Sequence, residues 1–163
     1  MTDFGYIAAE FEDKEIVVLQ KLVKKICKQD DFYYSNVVDY IKGDVTKNLH
    51  LTIFYGLIDN KIDKVKLNRY IRGIKLKTFK LGKCILVPGY KDLYQSLRIE
   101  VLDKDKNLQM ISDSFKKFNY EKSVQLEFRP HLTLAYVKPD FKLGSSYVFP
   151  KEINIKEIKY FEK

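Results

Sequence analysis

The chain of 163 residues contains no tryptophan, only two histidines and two cysteines, and few prolines and glycines (four and seven). With 45% apolar residues, this scarcity excludes a collagen-like or low-complexity chain and indicates a well-ordered globule. No stretch reaches the roughly 18 continuous apolar residues of a membrane span, so we expect no membrane partner. The start, MTDFGYIAAEFEDKE, turns acidic where a secretory signal would be basic and then apolar, which predicts a cytoplasmic protein.

The two cysteines suit a reducing compartment. Cys27 lies in an amphipathic helical stretch and Cys84 in an apolar, strand-like run, which predicts buried free thiols and leaves a disulfide open. The cysteines and histidines match none of the close-paired ligand spacings of zinc sites. We therefore predict no metal and no cofactor.

Positive charge is in excess, with 30 Lys and Arg against 22 Asp and Glu and a net charge of +8. Lysines are scattered through the chain and are densest at 61–91. Scattered lysines are usually solvated, but an imbalance of this size favours an anionic partner, and phosphates are the first class to consider.

The apolar periodicity predicts an α+β protein with a single domain spanning 1–163, since no linker-like segment interrupts it. The predicted strands are 4–11, 49–57, 94–102, 123–128, 131–138 and 153–162, with a hairpin or bulged strand at 74–88. The predicted helices are 14–28, 61–73 and 104–118, with Asp13, Asp59 and Asp103 as their N-caps.

Both histidines lie in the tripeptide His-Leu-Thr, one in NLHLTIFYGL (48–57) and one in FRPHLTLAYV (128–137). They are about half the chain length apart, and each follows a strand and an amphipathic helix. This arrangement predicts a strand-helix-strand unit used twice, in pseudo-halves of about 1–80 and 81–163.

Residues i and i+2 of a strand point to the same face, about 6.5–7 Å apart. His50 and Thr52 therefore share one face, and so do His131 and Thr133, while the intervening aliphatic residues form the core. The same alternation places Phe54 on the face of the histidines. Tyr136 would fall on the core face.

Two imidazoles and two hydroxyls on one cleft suit phosphodiester chemistry. With a pKa near 6.5, one imidazole can be neutral while the other is protonated. The neutral one takes a proton from a 2′-hydroxyl or a water, and the protonated one gives a proton to the leaving oxygen, together worth about 10²–10⁴-fold. Threonine hydroxyls would donate to the non-bridging phosphate oxygens. A lone histidine in a strand is usually structural, but two in the same tripeptide favour catalysis.

HLTIFYGL and RPHLTLAYV resemble the paired H-x-[ST] motifs of the 2H phosphoesterases, which include RNA 2′,3′-cyclic phosphodiesterases and 2′-5′ RNA ligase-like proteins. The strand GYIAAEF followed by a helix, and the proline before the second motif, are also similar. The resemblance implies a bilobed fold with two pseudo-repeated strand-helix-strand lobes, a concave antiparallel sheet and metal-independent phosphodiester cleavage. It also implies a catalytic quartet of His50, Thr52, His131 and Thr133.

Within that superfamily, HLTIFYGL is most similar to the phage anti-CBASS nucleases, which degrade cyclic oligonucleotide signals. We therefore expect a cyclic di- or trinucleotide or a short RNA as partner, in the host cytoplasm if the chain is phage-encoded, and no obligate protein partner. One alternative is an enzyme that opens terminal 2′,3′-cyclic phosphates on RNA. Another is a non-catalytic nucleotide- or RNA-binding module, although an RNP-type aromatic signature is lacking.

Further candidates for substrate contact are Tyr6, Phe54 and Lys138. Tyr6 lies on the first strand, which in the resembled fold flanks the cleft, and a tyrosine must stack on bases where tryptophan is lacking. Phe54 would line the cleft wall, and Lys138 follows the second motif within reach of a phosphate. Arg129 is placed similarly, although a solvated side chain is the simpler interpretation for both basic residues.

Overall fold

The structure is a computed structural model that describes residues 4–163, so the first three residues of the predicted domain lie outside it. The strands are β1 Gly5–Phe11, β2 His50–Leu57, β3 Thr78–Pro88, β4 Gln95–Leu102, β5 His131–Val137 and β6 Glu152–Phe161. The α-helices are α1 Asp13–Ile26, α2 Lys64–Arg72 and α3 Asn107–Ser114. No helix within residues 4–163 is both long enough and apolar enough to cross a membrane.

The six strands form one antiparallel sheet in the order β2-β1-β6-β3-β4-β5. The last strand of the chain, β6, lies in the middle and joins β1 to β3. The two strands at the ends of this order, β2 and β5, also contact each other. The sheet therefore curls, and the strands that begin with the two histidines are brought together.

The core lies between the sheet and the helices. The aliphatic residues between and after the motif residues, Leu51, Ile53, Leu132 and Leu134, are at most 1% exposed, so their predicted burial is confirmed. The buried hydroxyl of Ser112 on α3 donates to the Ile53 carbonyl at 2.6 Å and ties that helix to β2. This packing leaves the opposite face of each strand for the site.

The outer edges of both histidine strands are covered by segments from the other half of the chain. Residues 119–121 pair with the end of β2, and residues 32–46 pair with β5. The backbone bonds are Ile58 to Asn119 (3.0 Å), Glu121 to Gly56 (2.8 Å), Tyr33 to Tyr136 (2.9 Å) and Thr46 to Leu134 (2.8 Å). The two halves are thus interlocked rather than placed side by side.

Two of the predicted N-caps are wrong. Helix α2 begins at Lys64 because the Asp63 carboxylate accepts the Lys66 N–H at 3.0 Å, whereas the predicted cap, Asp59, starts a preceding 3₁₀ turn. Helix α1 includes Asp13 as its first residue and has no side-chain cap. In both places the chain offers several acidic residues close together, and sequence spacing does not decide which one caps the helix.

The third predicted cap does stabilise a helix start, in an unusual position. The Asp103 carboxylate accepts the N–H groups of Leu108 and Gln109, both at 2.8 Å. The residue before α3, Lys106, has a φ of 57°, a left-handed conformation that interrupts the helix predicted over 104–118. The helix is therefore shorter at its start and ends in a 3₁₀ turn at Phe115–Lys117.

The predicted strand over 123–128 is wrong. This segment has only a 3₁₀ turn at Lys122–Val124, and the Leu126 side chain is 89% exposed. Its alternation resembles that of a strand, but the neighbouring edge of β2 is already covered at Tyr120, which leaves no partner for the segment. In β3, by contrast, the register slips between Leu81 and Cys84, so the bulged-strand alternative is correct.

Both cysteines are free thiols, as predicted, but only Cys27 is buried and Cys84 is half-buried. Burial raises the pKa of Cys27 to about 11, with a further contribution from Asp31. Burial also raises the pKa of Cys84 to about 12. Near neutral pH both therefore stay protonated, which makes them poor nucleophiles.

Candidate active site

The two histidines begin β2 and β5 and are half-buried. Thr52 is exposed and Thr133 is half-buried, each two residues further along its strand. The contact between β2 and β5 brings together the two strands that carry the histidines. The four residues predicted as a quartet thus lie on the open face of two strands that contact each other.

Each imidazole is held by the backbone two residues before it. The Nδ1 atom of His50 lies 2.9 Å from the Asn48 carbonyl, and that of His131 lies 2.7 Å from the Arg129 carbonyl. A carbonyl oxygen can only accept, so Nδ1 carries the hydrogen in both rings. Each Nε2 atom is left to take or give a proton.

His131 favours the neutral form. Burial lowers its pKa below the ordinary value of 6.5, against the opposing effect of the hydrogen bond to the Arg129 carbonyl. The positive charges of Arg98 and His50 lower the pKa further. At neutral pH His131 therefore presents an unprotonated Nε2 atom, as a general base requires.

Both histidine strands carry a register slip at the same point, directly after the threonine. In β2 the partners on β1 pass from Thr52 to Phe54 in one step, which leaves Ile53 as an extra residue. In β5 the same slip leaves Leu134 as the extra residue. A bulge of this kind turns the following residues over relative to simple alternation.

The bulge overturns two predictions made from alternation. Phe54 does not line the cleft, because it is 3% exposed and packs against Phe115 and Tyr120 at ring distances of 6.0 and 5.5 Å. Tyr136 does not join the core; it is half-buried on the side of the site, and its counterpart Tyr55 is 41% exposed. One signal was present in the sequence, since a tyrosine follows each threonine by three residues.

The corrected position of Phe54 makes a stability prediction. Phe54→Ala should lower the free energy of unfolding by about 3–5 kcal/mol, since it empties a packed aromatic site. Tyr55→Ala is the matched control on the adjacent, exposed position and should cost clearly less. Urea denaturation of both variants measures the difference, and a Phe54→Ala midpoint equal to that of the wild type would contradict the packing.

Tyr6 is brought to the site as the resemblance implied. Its ring lies 5.8 Å from the His50 ring and stacks on Phe161 at 4.9 Å with nearly parallel planes (8°). Burial raises the pKa of Tyr6, and the nearby Glu10 raises it further, so the hydroxyl is a neutral donor. The role of Tyr6 in substrate binding stays a prediction.

A glutamate lies opposite each histidine on the neighbouring strand. Glu10 of β1 pairs in register with His50, and Glu100 of β4 pairs with His131. Lys159 of β6 forms an ion pair with Glu10 at 3.1 Å. The site therefore consists of two half-sites, one on β1 and β2 and one on β4 and β5, in which a glutamate lies opposite the histidine.

The half-sites differ beside the threonines. Ala8 lies opposite Thr52, whereas Arg98 lies opposite Thr133. Arg98 is half-buried, and its Nε–H donates to the Ser96 hydroxyl at 2.8 Å. The sequence interpretation missed this residue, although an arginine inside the apolar alternation of YQSLRIEVL was a visible signal.

A cluster of four tyrosines lies next to Arg98. Ring centroids are 5.4 Å apart for Tyr33 and Tyr94, 5.5 Å for Tyr94 and Tyr136, and 5.7 Å for Tyr40 and Tyr136. Tyr40 is 70% exposed and the others are half-buried. Burial raises the pKa of Tyr136 to about 12, so it remains a neutral hydroxyl. This cluster is an aromatic wall on the His131 side of the site.

The side chains of the two basic candidates named from the sequence are exposed, and their role in substrate binding stays a prediction. The Arg129 side chain is 79% exposed and forms an ion pair with Glu127 at 2.6 Å. Lys138 is exposed and follows the last residue of β5, at the end of the strand opposite to His131. Within residues 4–163, no three His, Cys, Asp or Glu side chains lie close enough together to form a metal site.

Comparison with known proteins supports the fold. No protein-family model matches the sequence, and no curated protein matches it. The structure is similar to that of Kluyveromyces marxianus Usb1, with 12% sequence identity and a TM-score of 0.51. For Usb1 with uridine monophosphate, the values are 10% and 0.52. In each comparison the match covers 84% of this chain and 72% of the Usb1 chain. The predicted fold class is confirmed: this is an α+β, 2H phosphoesterase-like fold with a six-stranded antiparallel sheet.

Proposed function

We propose that this protein is a phosphodiesterase of the 2H type that cleaves oligoribonucleotides with its two histidines as general base and general acid. One observation carries the proposal: both imidazoles are held through Nδ1 by a backbone carbonyl, with both Nε2 atoms free in one site. Two purely structural histidines would have no need of this shared geometry. The uridine monophosphate bound to a Usb1 of the same fold supports a nucleotide ligand.

The proposed step needs no group beyond those of the protein and the substrate. The Nε2 atom of the base takes the proton of the ribose 2′-hydroxyl, and O2′ forms a bond to phosphorus. The bond from phosphorus to O5′ breaks, and the Nε2–H of the acid gives its proton to O5′. The products are a 2′,3′-cyclic phosphate and a 5′-hydroxyl, and Thr52 and Thr133 donate to the non-bridging oxygens as negative charge develops.

We assign the base to His131 and the acid to His50 in this direction of attack. The lowered pKa of His131 leaves its Nε2 atom unprotonated near neutral pH. A general base must be in this state at the start of the reaction. The transfer of a proton to the leaving oxygen is then the role of the remaining histidine, His50.

Of the two substrate classes considered, RNA and cyclic oligonucleotides, the preferred one is RNA, either a strand or an end. The nucleotide bound by the structural neighbour favours this alternative, and the net charge of +8 suits a polyanionic ligand. Degradation of cyclic oligonucleotide immune signals by an anti-CBASS enzyme stays a prediction from the resemblance of HLTIFYGL.

One assay tests the function and separates these substrates. The protein is incubated with a linear oligoribonucleotide, an RNA that ends in a 2′,3′-cyclic phosphate, and a panel of cyclic di- and trinucleotides, and the products are identified by mass. We expect cleavage of at least the linear RNA and none by the double variant His50→Ala/His131→Ala. A wild-type protein that is inert on the whole panel yet binds the oligonucleotides would favour a binding module instead.

Activity should survive an excess of EDTA and should show a bell-shaped dependence on pH. The proposed step assigns both proton transfers to imidazoles and the stabilisation of charge to protein donors, so chelation removes nothing that it uses. The measurement is kcat/KM across the pH range, with and without EDTA. Loss of activity on chelation that a divalent cation restores would refute the metal-independent mechanism.

A further inference from the structure

Arg98 is a half-buried guanidinium in the site without a carboxylate partner. None of the ion pairs among the described residues includes it. A buried positive charge is costly unless an anion or good acceptors compensate for it. The lowered pKa of Arg98, caused by burial and partly offset by Tyr136 and Tyr94, reflects the same cost. The guanidinium of Arg98 is therefore a cation in the site that has no anionic side chain paired with it.

The guanidinium is also held in a fixed orientation. Its Nε–H donates to the Ser96 hydroxyl at 2.8 Å. Ser96 is 1% exposed, and its hydroxyl donates in turn to the Val87 carbonyl at 3.3 Å. Arginine has five N–H donors, and the four on the Nη atoms have no acceptor among residues 4–163. No unpaired side-chain nitrogen in that range is sealed from solvent. The Nη atoms therefore open to the cleft.

The position of the guanidinium suits a phosphate at the reacting centre. Arg98 lies directly opposite Thr133 on the neighbouring strand, where side chains are about 4.5–5.5 Å apart at Cβ. Its charge also acts on His131. A planar fork of two Nη donors binds two phosphate oxygens at once, which an ammonium group cannot do.

We propose that Arg98 binds the substrate's scissile phosphate in an anion subsite that Tyr94 and Tyr136 close on one side. The inference rests on the proposed function and names the residue that fixes the direction of the substrate. The equivalent position in the other half is Ala8, and the lysine that pairs with it, Lys159, is already in ion pairs with Glu10 and Glu157. The guanidinium that holds the phosphate therefore belongs to the His131 half-site. The substrate is thereby bound in one polarity, with the attacking ribose at His131.

Binding of uridine 3′-monophosphate and of uridine, each measured by calorimetry, tests the subsite without any turnover. Arg98→Gln should weaken binding of the nucleotide about 10- to 100-fold, the loss of a charge-assisted hydrogen bond pair, and should leave uridine binding unchanged. Arg98→Lys keeps the charge but loses the fork, so its affinity should be intermediate. Arg69→Gln, the same change on the exposed face of α2, is the control and should match the wild type.

The pH profile gives a readout that a merely structural arginine would not move. His131 is faced by Arg98 and Glu100 on β4 and by His50 on β2. Removing the charge of Arg98 makes the imidazolium of His131 less unfavourable, so the pKa of the base rises. The acidic limb of kcat/KM should shift to higher pH in Arg98→Gln, and less or not at all in Arg98→Lys.

The outcomes separate this inference from the proposed function. If Arg98→Gln is folded by its thermal melt and binds uridine 3′-monophosphate as tightly as the wild type, the subsite is refuted while the phosphodiesterase stands. If Arg98→Gln does not fold, Arg98→Lys decides, and an affinity for uridine 3′-monophosphate equal to that of the wild type in this variant refutes the fork. A wild-type protein that binds neither probe and cleaves no RNA overturns both.

Discussion

Replacing either histidine by alanine should abolish nearly all turnover, with a loss of about 10²–10⁴-fold in kcat for each. His50→Ala and His131→Ala each remove one of the two proton-transfer groups, and no other imidazole exists in the chain to take its place. Thr52→Ala and Thr133→Ala should cost less, about 10- to 100-fold, because each removes a single hydrogen bond to the developing charge. Steady-state kinetics on the linear RNA measures all four.

Thermal melts of the same variants serve as the control. Each imidazole is half-buried and bonds only to a local carbonyl two residues away, so its loss should shift the melt little. A folded double variant His50→Ala/His131→Ala that retained activity would end the acid–base proposal. A large fall in the melting temperature of either single variant would instead indicate a structural role for that histidine.

A substrate that lacks the 2′-hydroxyl at the cleaved linkage should bind normally and resist cleavage. In the ribose substrate the nucleophile is already held beside the phosphorus, and intramolecular attack of this kind reaches effective molarities of about 10⁵–10⁸ M. The loss of rate should therefore exceed that of any single threonine variant. Charge and aromatic surface are unchanged in the deoxy substrate, so its affinity should be similar.

The experiment pairs one oligoribonucleotide with a version deoxygenated only at the cleaved position, and follows binding and products together. We expect the ribose substrate to pass through or end at a 2′,3′-cyclic phosphate. Cleavage of both substrates at equal rates would mean that water is the nucleophile, and the assignment of His131 as the base for a 2′-hydroxyl would have to be withdrawn.

The repeated tripeptide was enough to predict that each histidine shares the open face of its strand with the threonine two residues later, because strand alternation over three residues leaves little room for error. The catalytic role of the quartet stays a prediction. The same alternation placed Phe54 and Tyr136, two and three residues after the threonines, on the wrong faces. Ile53 and Leu134 are apolar whether or not they are bulge residues, so the pattern of polarity does not reveal the slip that buries Phe54 and turns Tyr136 toward the site. Bulges are fixed by pairing between distant strands, and a single sequence does not display that pairing.

Arg98 was missed for a related reason. Within YQSLRIEVL it looked like an ordinary polar residue on the outward face of a strand. Its meaning comes from its neighbours: Thr133 lies on the next strand, and Tyr94 and Tyr136 lie nearby. None of these proximities follows from local spacing. The wrong strand at 123–128 shows the converse, since a suitable pattern forms no strand where no open edge is available to pair with it.

The interlocking of the halves has a consequence for how the protein is made. A ribosome delivers the chain from its N-terminus, and domains usually begin to fold as they emerge. Here β2 lacks the cover of its outer edge until residues 119–121 appear, and β1 lacks its second neighbour until β6 is synthesised. Neither histidine strand therefore has all its neighbouring segments when only one half of the chain has been synthesised. The active site is therefore completed in one late event, after nearly the whole chain has been translated.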